Sequence, residues 1–222
     1  MQIIYLHWSN TNLTEHLHVT TSIISEGTVM HVSATTHIET LTFSSVFQIR
    51  CVRANNPSCS GNPRTVVITD MNYYPVARYH FDLSGTAFGA MAMPGRNDQL
   101  RHAGIIDMQF RRVPCNHAGM KITFFILPGA NPNYFPVVAA YANRDGTVVK
   151  MDVMRSRNGR STGRWEPMYR SWGIVFRLDT SEALKGPLSL RITSDSGTTR
   201  VAYNIIPANW RGGSSFWSNI QY

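Results

Sequence analysis

The chain has 222 residues, 43% hydrophobic and 15% charged, the balance of a folded globular protein and not of a disordered one. No apolar run approaches the roughly 20 residues needed to span a bilayer, which excludes a helical membrane span. Twenty-one basic side chains against 13 acidic ones give a net charge of +8, a balance that points to nucleic acid, an anionic membrane or acidic polysaccharide as partner.

The charge is uneven. Residues 1–49 contain no Lys or Arg and five of the eight His, whereas the rest carries all 21 cations and 10 of the 13 acids. The opening segment therefore differs from the remainder in origin or role. Its first residues lack a basic n-region, and their apolar stretch is too short for a signal peptide. Asn12-Leu13-Thr14 is a formal glycosylation sequon. His16 and His18 alternate but have no Cys or carboxylate partners at ligand spacing, so neither a metal site nor any other cofactor is expected. Residues 1–40 show no sustained period and read as loop or weak strand.

Strand patterns begin at Val46–Cys51 and Thr65–Asp70, separated by the turn clusters Asn55-Asn56-Pro57 and Gly61-Asn62-Pro63. Ser84 is placed to cap a short helix over Thr86–Met91. A second short helix near Asp98–Ala103 stops at Gly104. Strands follow at Ile105–Val113 and Lys121–Leu127. Pro128-Gly129-Ala130-Asn131-Pro132-Asn133 reads as a linker between domains. Beyond it, strands are expected at Tyr134–Tyr141, Thr147–Val153, Trp165–Tyr169, Gly173–Leu178, Leu188–Thr193 and Thr199–Ile205, with hairpin signals at Arg144-Asp145-Gly146 and Asp195-Ser196-Gly197. Short strands at this spacing read as a β-sandwich.

The most chemical segment is Tyr79-His80-Phe81-Asp82-Leu83-Ser84-Gly85. An Asp between an aromatic and Leu can lose solvent, which raises its pKa and suits it to general-acid work; an ordinary helix-capping Asp is the commoner case. Asp70, at a strand end, is the second carboxylate and more often a turn residue. Cys51 and Cys59 enclose a loop short enough for a disulfide, which spacing alone leaves open, and three cysteines leave one over.

The segment from His80 to Ala92 resembles the hallmark of β-expansins and the related group-1 pollen allergens. The similarity continues through Val67-Ile68-Thr69-Asp70, Leu100-Arg101-His102-Ala103-Gly104, Gln109-Phe110-Arg111-Arg112-Val113-Pro114-Cys115, Asn131-Pro132-Asn133-Tyr134, Ser171-Trp172-Gly173, Phe176-Arg177-Leu178-Asp179-Thr180, Gly186-Pro187 and Ile206-Pro207-Ala208-Asn209-Trp210. It runs from about Phe43 to Trp217. The resemblance implies a mainly β protein: a double-psi β-barrel similar to family-45 endoglucanases, incomplete at its N-terminus, then an immunoglobulin-like β-sandwich that binds polysaccharide. The implied division is residues 1–40 as a divergent segment, 41–127 as the barrel, 128–133 as the linker and 134–217 as the sandwich.

The resemblance also assigns roles. Asp82 falls where the related glycosidases keep their general acid, and Asp70 matches another groove Asp. Cys51 and Cys59 match a family disulfide. Cys115 matches a half-cystine whose partner position is Val46, so Cys115 is expected as a free thiol. The family's opening strand and its Cys-rich stretch have no counterpart in residues 1–42, and a barrel short of a strand would expose an unpaired edge.

Trp and Tyr are mostly buried in proteins, so Tyr134 and Trp172 alone read as core residues; the resemblance makes them surface rings that stack on sugars. Trp165 and Trp210 read as packing residues. His80 reads as a packing or hydrogen-bonding residue of the groove. Arg177 fits either a hydroxyl donor or a solvated strand residue. Lys150, Arg155, Arg157, Arg160 and Arg164 form either a solvated face or an attractor of acidic matrix polysaccharide. No nucleic-acid module accompanies them, so nucleic acid is not an expected partner.

The expectation is a secreted, monomeric cell-wall protein that binds cellulose and matrix polysaccharides (xylan, β-glucan, pectin) and loosens their non-covalent contacts without hydrolysis. The alternatives are a family-45-like endoglucanase, which would need a second carboxylate for inverting hydrolysis, and an inactive remnant of the family.

Overall fold

The structure is a computed structural model that describes residues 5–6, 30–36, 45–70, 79–144, 146–157 and 160–222. Asn12, His16 and His18 lie outside the described residues, as do Asp145 and the side chains of Asp70 and His80. The chain divides into two units, Met1–Val113 and Pro114–Tyr222.

The first unit contains β1 (Tyr5–Leu6), β2 (Met30–Thr36), β3 (Val46–Cys51), β4 (Arg64–Asp70), β5 (Tyr79–Leu83), α1 (Gly85–Ala90), α2 (Asn97–His102) and β6 (Asp107–Val113). The strands lie in the order β1-β6-β3-β4-β2-β5, and the two end strands, β1 and β5, come to lie beside each other, as a closing barrel requires. β-Branched residues dominate β4, and a period of two sends Val66 and Ile68 into the core with Phe47 and Ile49 of β3, Phe81 and Leu83 of β5 and Met108 of β6. Phe47, Phe81 and Phe110 meet edge to face at centroid distances of 5.2–6.1 Å. Each such pair contributes about 0.5–1.5 kcal/mol beyond area burial.

Two boundaries differ from the sequence reading. The barrel does not begin at residue 41, because β2 runs parallel to β4 on one side and antiparallel to β5 on the other. Nor is the opening strand wholly absent: Tyr5 and Leu6 pair in parallel with Asp107 and Met108. β1 is only two residues long, and the alternation of Met30, Val32 and Ala34 with His31, Ser33 and Thr35 in β2 is a short run within a Thr-, Ser- and His-rich stretch.

The second unit contains β7 (Thr123–Ile126), β8 (Tyr134–Ala140), β9 (Val148–Arg157), β10 (Arg160–Trp172), β11 (Val175–Asp179), β12 (Leu188–Ser194), β13 (Thr199–Ile206) and β14 (Ser215–Trp217). They follow the order β13-β12-β9-β10-β11-β8-β7-β14. Long β10 carries two ladders: residues 160–168 pair with β9, and residues 169–172 pair with β11. The change of partner folds the strand set into a sandwich. Its core joins Phe124, Ile126, Phe135 and Val137 to Met151, Val153, Leu190 and Ile192.

The expected interdomain linker at 128–133 is instead a hairpin connection. Strands β7 and β8 on either side of it are antiparallel neighbours, with Ile126 opposite Val137, and the unit boundary falls at Val113/Pro114. Gly129 takes φ +84°, which glycine adopts without steric cost. Pro and Gly punctuate hairpin turns and linkers alike, so composition could not separate the two.

Candidate functional site

Asp82 lies in β5 between Phe81 and Leu83, two core residues. Alternation points its side chain away from them, yet Asp82 is only 2% exposed. Its strand position faces Ser33 of β2, and Ser33 in turn faces Asp70 of β4. The backbones of Asp70, Ser33 and Asp82 therefore form one row across three strands, with the two Asp positions about 10 Å apart at two strand spacings. His80 pairs with Thr35, two residues along β5 from Asp82.

Ser84 ends this strand and caps α1, its Oγ accepting from the Ala87 amide at 3.1 Å. Arg101 of α2 donates through Nε to the Gly85 carbonyl at 2.8 Å and through Nη1 to Asp98 at 3.2 Å. A Cβ at Gly89 would lie 2.7 Å from Arg101 Nη2. The small residues after Asp82 thus make room for one guanidinium that ties the two helices together. The far end of α1 leans on the Cys51–Cys59 disulfide loop, whose Cα atoms are 5.6 Å apart: Ser60 donates through Oγ to the Met91 carbonyl at 2.7 Å, and Met93 donates its amide to the Ser58 carbonyl at 2.8 Å. Cys115 is buried and outside any disulfide.

In the second unit the outward face of the β8–β11–β10 ladder gathers the aromatic candidates. Tyr134 pairs with Asp179, and Arg177 sits between Pro136 and Tyr169. The Arg177 guanidinium lies 5.3 Å from the Tyr134 ring centroid and 4.8 Å from that of Tyr169. Tyr169 donates its hydroxyl to Asp179, and Arg177 Nε donates to the Tyr169 oxygen. Arg177 Nη2 closes the set on Asp179 at 2.9 Å. Burial opposes the Arg177 charge, but these hydrogen bonds outweigh it and hold its pKa above the ordinary value. The bond to Asp179 raises the Tyr169 phenol likewise.

Trp172 is 43% exposed and Tyr169 44%. Trp172 stands opposite Val175 beside a β-bulge, at a two-residue turn where Gly173 takes φ +49°. Arg170 underpins it, donating to the carbonyls of Gly173 and Val148 at 2.7 Å while lying 4.6 Å from the Phe176 ring centroid. The result is a rigid, ring-bearing strip in which the charges of Arg177 and Asp179 cancel. Such a surface suits an uncharged ligand with flat, partly apolar faces and many hydroxyls.

Sequence reasoning placed Tyr134, Trp172 and Arg177 but missed Tyr169 and Asp179. A sharper strand register for β10 and β11 would have found them, since Tyr169, Arg177 and Asp179 share one face. Trp210 packs against Phe135 at 5.1 Å, and Trp165 lies beneath Arg191, 4.6 Å from the guanidinium. Three of the five cations of the basic cluster are ion-paired. Arg155 is buried and bonds Glu166 at 2.6 Å, Arg157 meets Glu182 at 3.3 Å, and Lys150 approaches Asp152 at 3.6 Å. Arg160 and Arg164 are exposed. Among the described residues no group of His, Cys, Asp or Glu is placed to hold a metal, and no helix is long and apolar enough to cross a membrane.

Residues 122–207 match the family model of the expansin C-terminal domain, and residues 32–110 match a double-psi barrel model described as lytic transglycolase. The second match starts inside β2, in keeping with that strand's place in the barrel. Expansin-B2 of Oryza sativa subsp. japonica is 62% identical over 177 residues, covering 79% of this chain and 67% of its own length. Expansin-B1 of Zea mays is 51% identical over 179 residues, covering 80% and 64%. The chain spans about two thirds of the length of the curated relatives it matches. Among solved structures, apo expansin of Clavibacter michiganensis superposes with a TM-score of 0.62 at 18% identity, over 99% of this chain and 94% of that one. A point mutant of the same bacterial expansin in complex with cellohexaose gives 0.60 at 17% identity, over 86% and 82%.

Proposed function

The chain belongs to the β-expansin family, and on that premise we propose that it is a secreted wall protein that binds cellulose and matrix glucans and loosens their non-covalent contacts without cleaving them. The observation that carries this reading is the strip of exposed Tyr169 and Trp172 and half-buried Tyr134 around a self-neutralised Arg177–Asp179 pair. Flat rings stack on the apolar faces of sugar units, and a strip without net charge accepts an uncharged glucan chain without stranding a counter-charge. The bacterial expansin that shares this fold is seen with cellohexaose, which supports a cellulose-like ligand. In the first unit the same reading takes Asp82 and Asp70, whose backbones share one row across three strands, and His80, two residues along β5, as its polar positions.

Two variants test the proposal together. Trp172→Ala should weaken cellulose binding about tenfold, which is about 1.4 kcal/mol. Asp82→Asn should bind as the parent does, because it keeps the side-chain shape. Wild-type protein should extend isolated wall strips under load while releasing no reducing ends from β-glucan. Reducing-end release that Asp82→Asn abolishes would make Asp82 a glycosidase acid and overturn the non-hydrolytic reading.

A further inference from the structure

Trp217 is 84% exposed, more than any other large apolar side chain described. Single exposed apolar residues are common on protein surfaces, so its meaning depends on what lies beside it. The strand register supplies the answer. Trp217 of β14 pairs with Thr123, and Thr123 pairs with Ala140. Along β8, alternation carries the same face through Val138 and Pro136 to Tyr134. Tyr134 pairs with Asp179 and Pro136 with Arg177, which pairs with Tyr169. The opposite phase confirms the assignment: Phe216, Phe124, Ala139, Val137 and Phe176 follow the same ladders and all belong to the core.

Trp217 and the Tyr134–Tyr169–Trp172 strip therefore share one face of one sheet, at its two sides. Between them Phe125 faces outward from β7, half-buried, with the Tyr141 ring 6.2 Å away. From β14 to β10 there are four strand spacings, about 19 Å. A chain lying across the strands meets an aromatic surface at each end of that span. Arg177 and Asp179 cancel on the Tyr134–Trp172 side, and each end of the span offers an exposed ring, so the occupant that fits both ends is again an uncharged glucan.

We propose that Trp217 is the distal ring of the glucan-binding face, so that affinity rises with chain length until the glucan reaches it. This rests on the reading of Trp172 and its neighbours as a glucan platform. The test is calorimetric titration of full-length wild type, Trp217→Ala, Trp217→Tyr and Trp172→Ala with cellobiose, cellotetraose and cellohexaose, plus depletion binding to insoluble cellulose and sedimentation of each protein. The expected result is that Trp217→Ala weakens binding of cellohexaose and cellulose by about tenfold, leaves cellobiose unchanged and keeps the parent melting temperature, while Trp217→Tyr retains most of the affinity. Trp172→Ala should lose affinity at every length. Parent-like binding by Trp217→Ala at all lengths, with Trp172→Ala impaired, would overturn the distal subsite and leave the platform standing. Unchanged binding by both variants would remove the platform itself. A wild-type dimer that Trp217→Ala converts to monomer with unaltered glucan binding would assign the ring to self-association and also overturn the proposal.

Discussion

Tyr169 gives its hydroxyl hydrogen to the carboxylate of Asp179, joining β10 to β11 across the exposed face of the sandwich. Arg177 donates to the same phenol oxygen and lies against the Tyr134 ring as well. One carboxylate thus orients two tyrosines through one guanidinium, and neither ring is free to swing as an isolated surface Tyr would be.

The network predicts a graded response. Tyr169→Phe keeps the ring and loses the hydroxyl, so cellulose binding should drop only a few-fold. Tyr169→Ala removes the ring and should approach the tenfold loss expected of Trp172→Ala. Asp179→Ala removes the acceptor that holds Tyr169 and Arg177 in place, so cellulose binding should weaken a few-fold, and by the same factor at low and high salt because the glucan carries no charge. Equal binding by Tyr169→Phe and Tyr169→Ala would show that the ring has no contact with glucan.

The helix pair after Asp82 makes a stability prediction. Gly89→Ala puts a methyl group where Arg101 Nη2 now sits, 2.7 Å away. The guanidinium is a flexible end, but it would have to give up its bonds to the Gly85 carbonyl and Asp98. With the side chain about one-third exposed, solvent screening holds the cost to roughly 1–2 kcal/mol. Repeating Gly89→Ala in an Arg101→Ala background should shrink that cost, since the clash has gone. An undiminished cost would point to backbone strain in α1 instead.

Deleting residues 1–40 bears on the barrel. The deletion removes β2 and leaves β4 and β5 facing a gap where both now find backbone partners. Unpaired strand edges in mid-sheet are costly and invite aggregation. Calorimetry should show the transition of the first unit lost or broadened, with that of the second retained. A deletion protein with both transitions intact would mean that β2 adds nothing to the core.

The contrast between legible and hidden parts follows from range. Ser84 as a cap, the two short helices and most strands rest on local signals within a few residues, and they appear where those signals lie. β2 carries its role in two ladders to strands roughly thirty or more residues away, and its one local mark is a short alternation of Met30, Val32 and Ala34 with polar residues. The segment 128–133 shows the same limit from the other side, since its composition fits a linker and only the β7–β8 pairing makes it a turn. Tyr134 and Trp172 stood out through their motifs. Tyr169 and Trp217 did not, because β10 is bulged beside Tyr169 and β14 is only three residues long, too short for a period to show. The motif Gly186-Pro187 gains its reason only in three dimensions, where a Cβ at Gly186 would collide with the Pro207 carbonyl oxygen.

His117 makes the chain's response to acid predictable. Its amide donates to Asn143 Oδ1 at 2.7 Å, and its ring stands edge-on to Tyr141 at 5.6 Å. Burial of the imidazole lowers its pKa in the folded state, because a charged ring there loses solvent. The unfolded chain, with an ordinary value near 6.5, therefore takes up the proton first as pH falls. The contribution of this group to stability is complete above about pH 6.5, declines as pH drops below that value and is exhausted below the folded pKa. Melting temperatures of wild type and His117→Gln, compared from about pH 8 to about pH 4.5, isolate it, since the carboxylates titrate alike in both proteins. The wild type should lose stability faster than the variant on acidification below about pH 6.5. Parallel curves would mean that the folded protein accepts the proton on His117 as readily as the unfolded chain does.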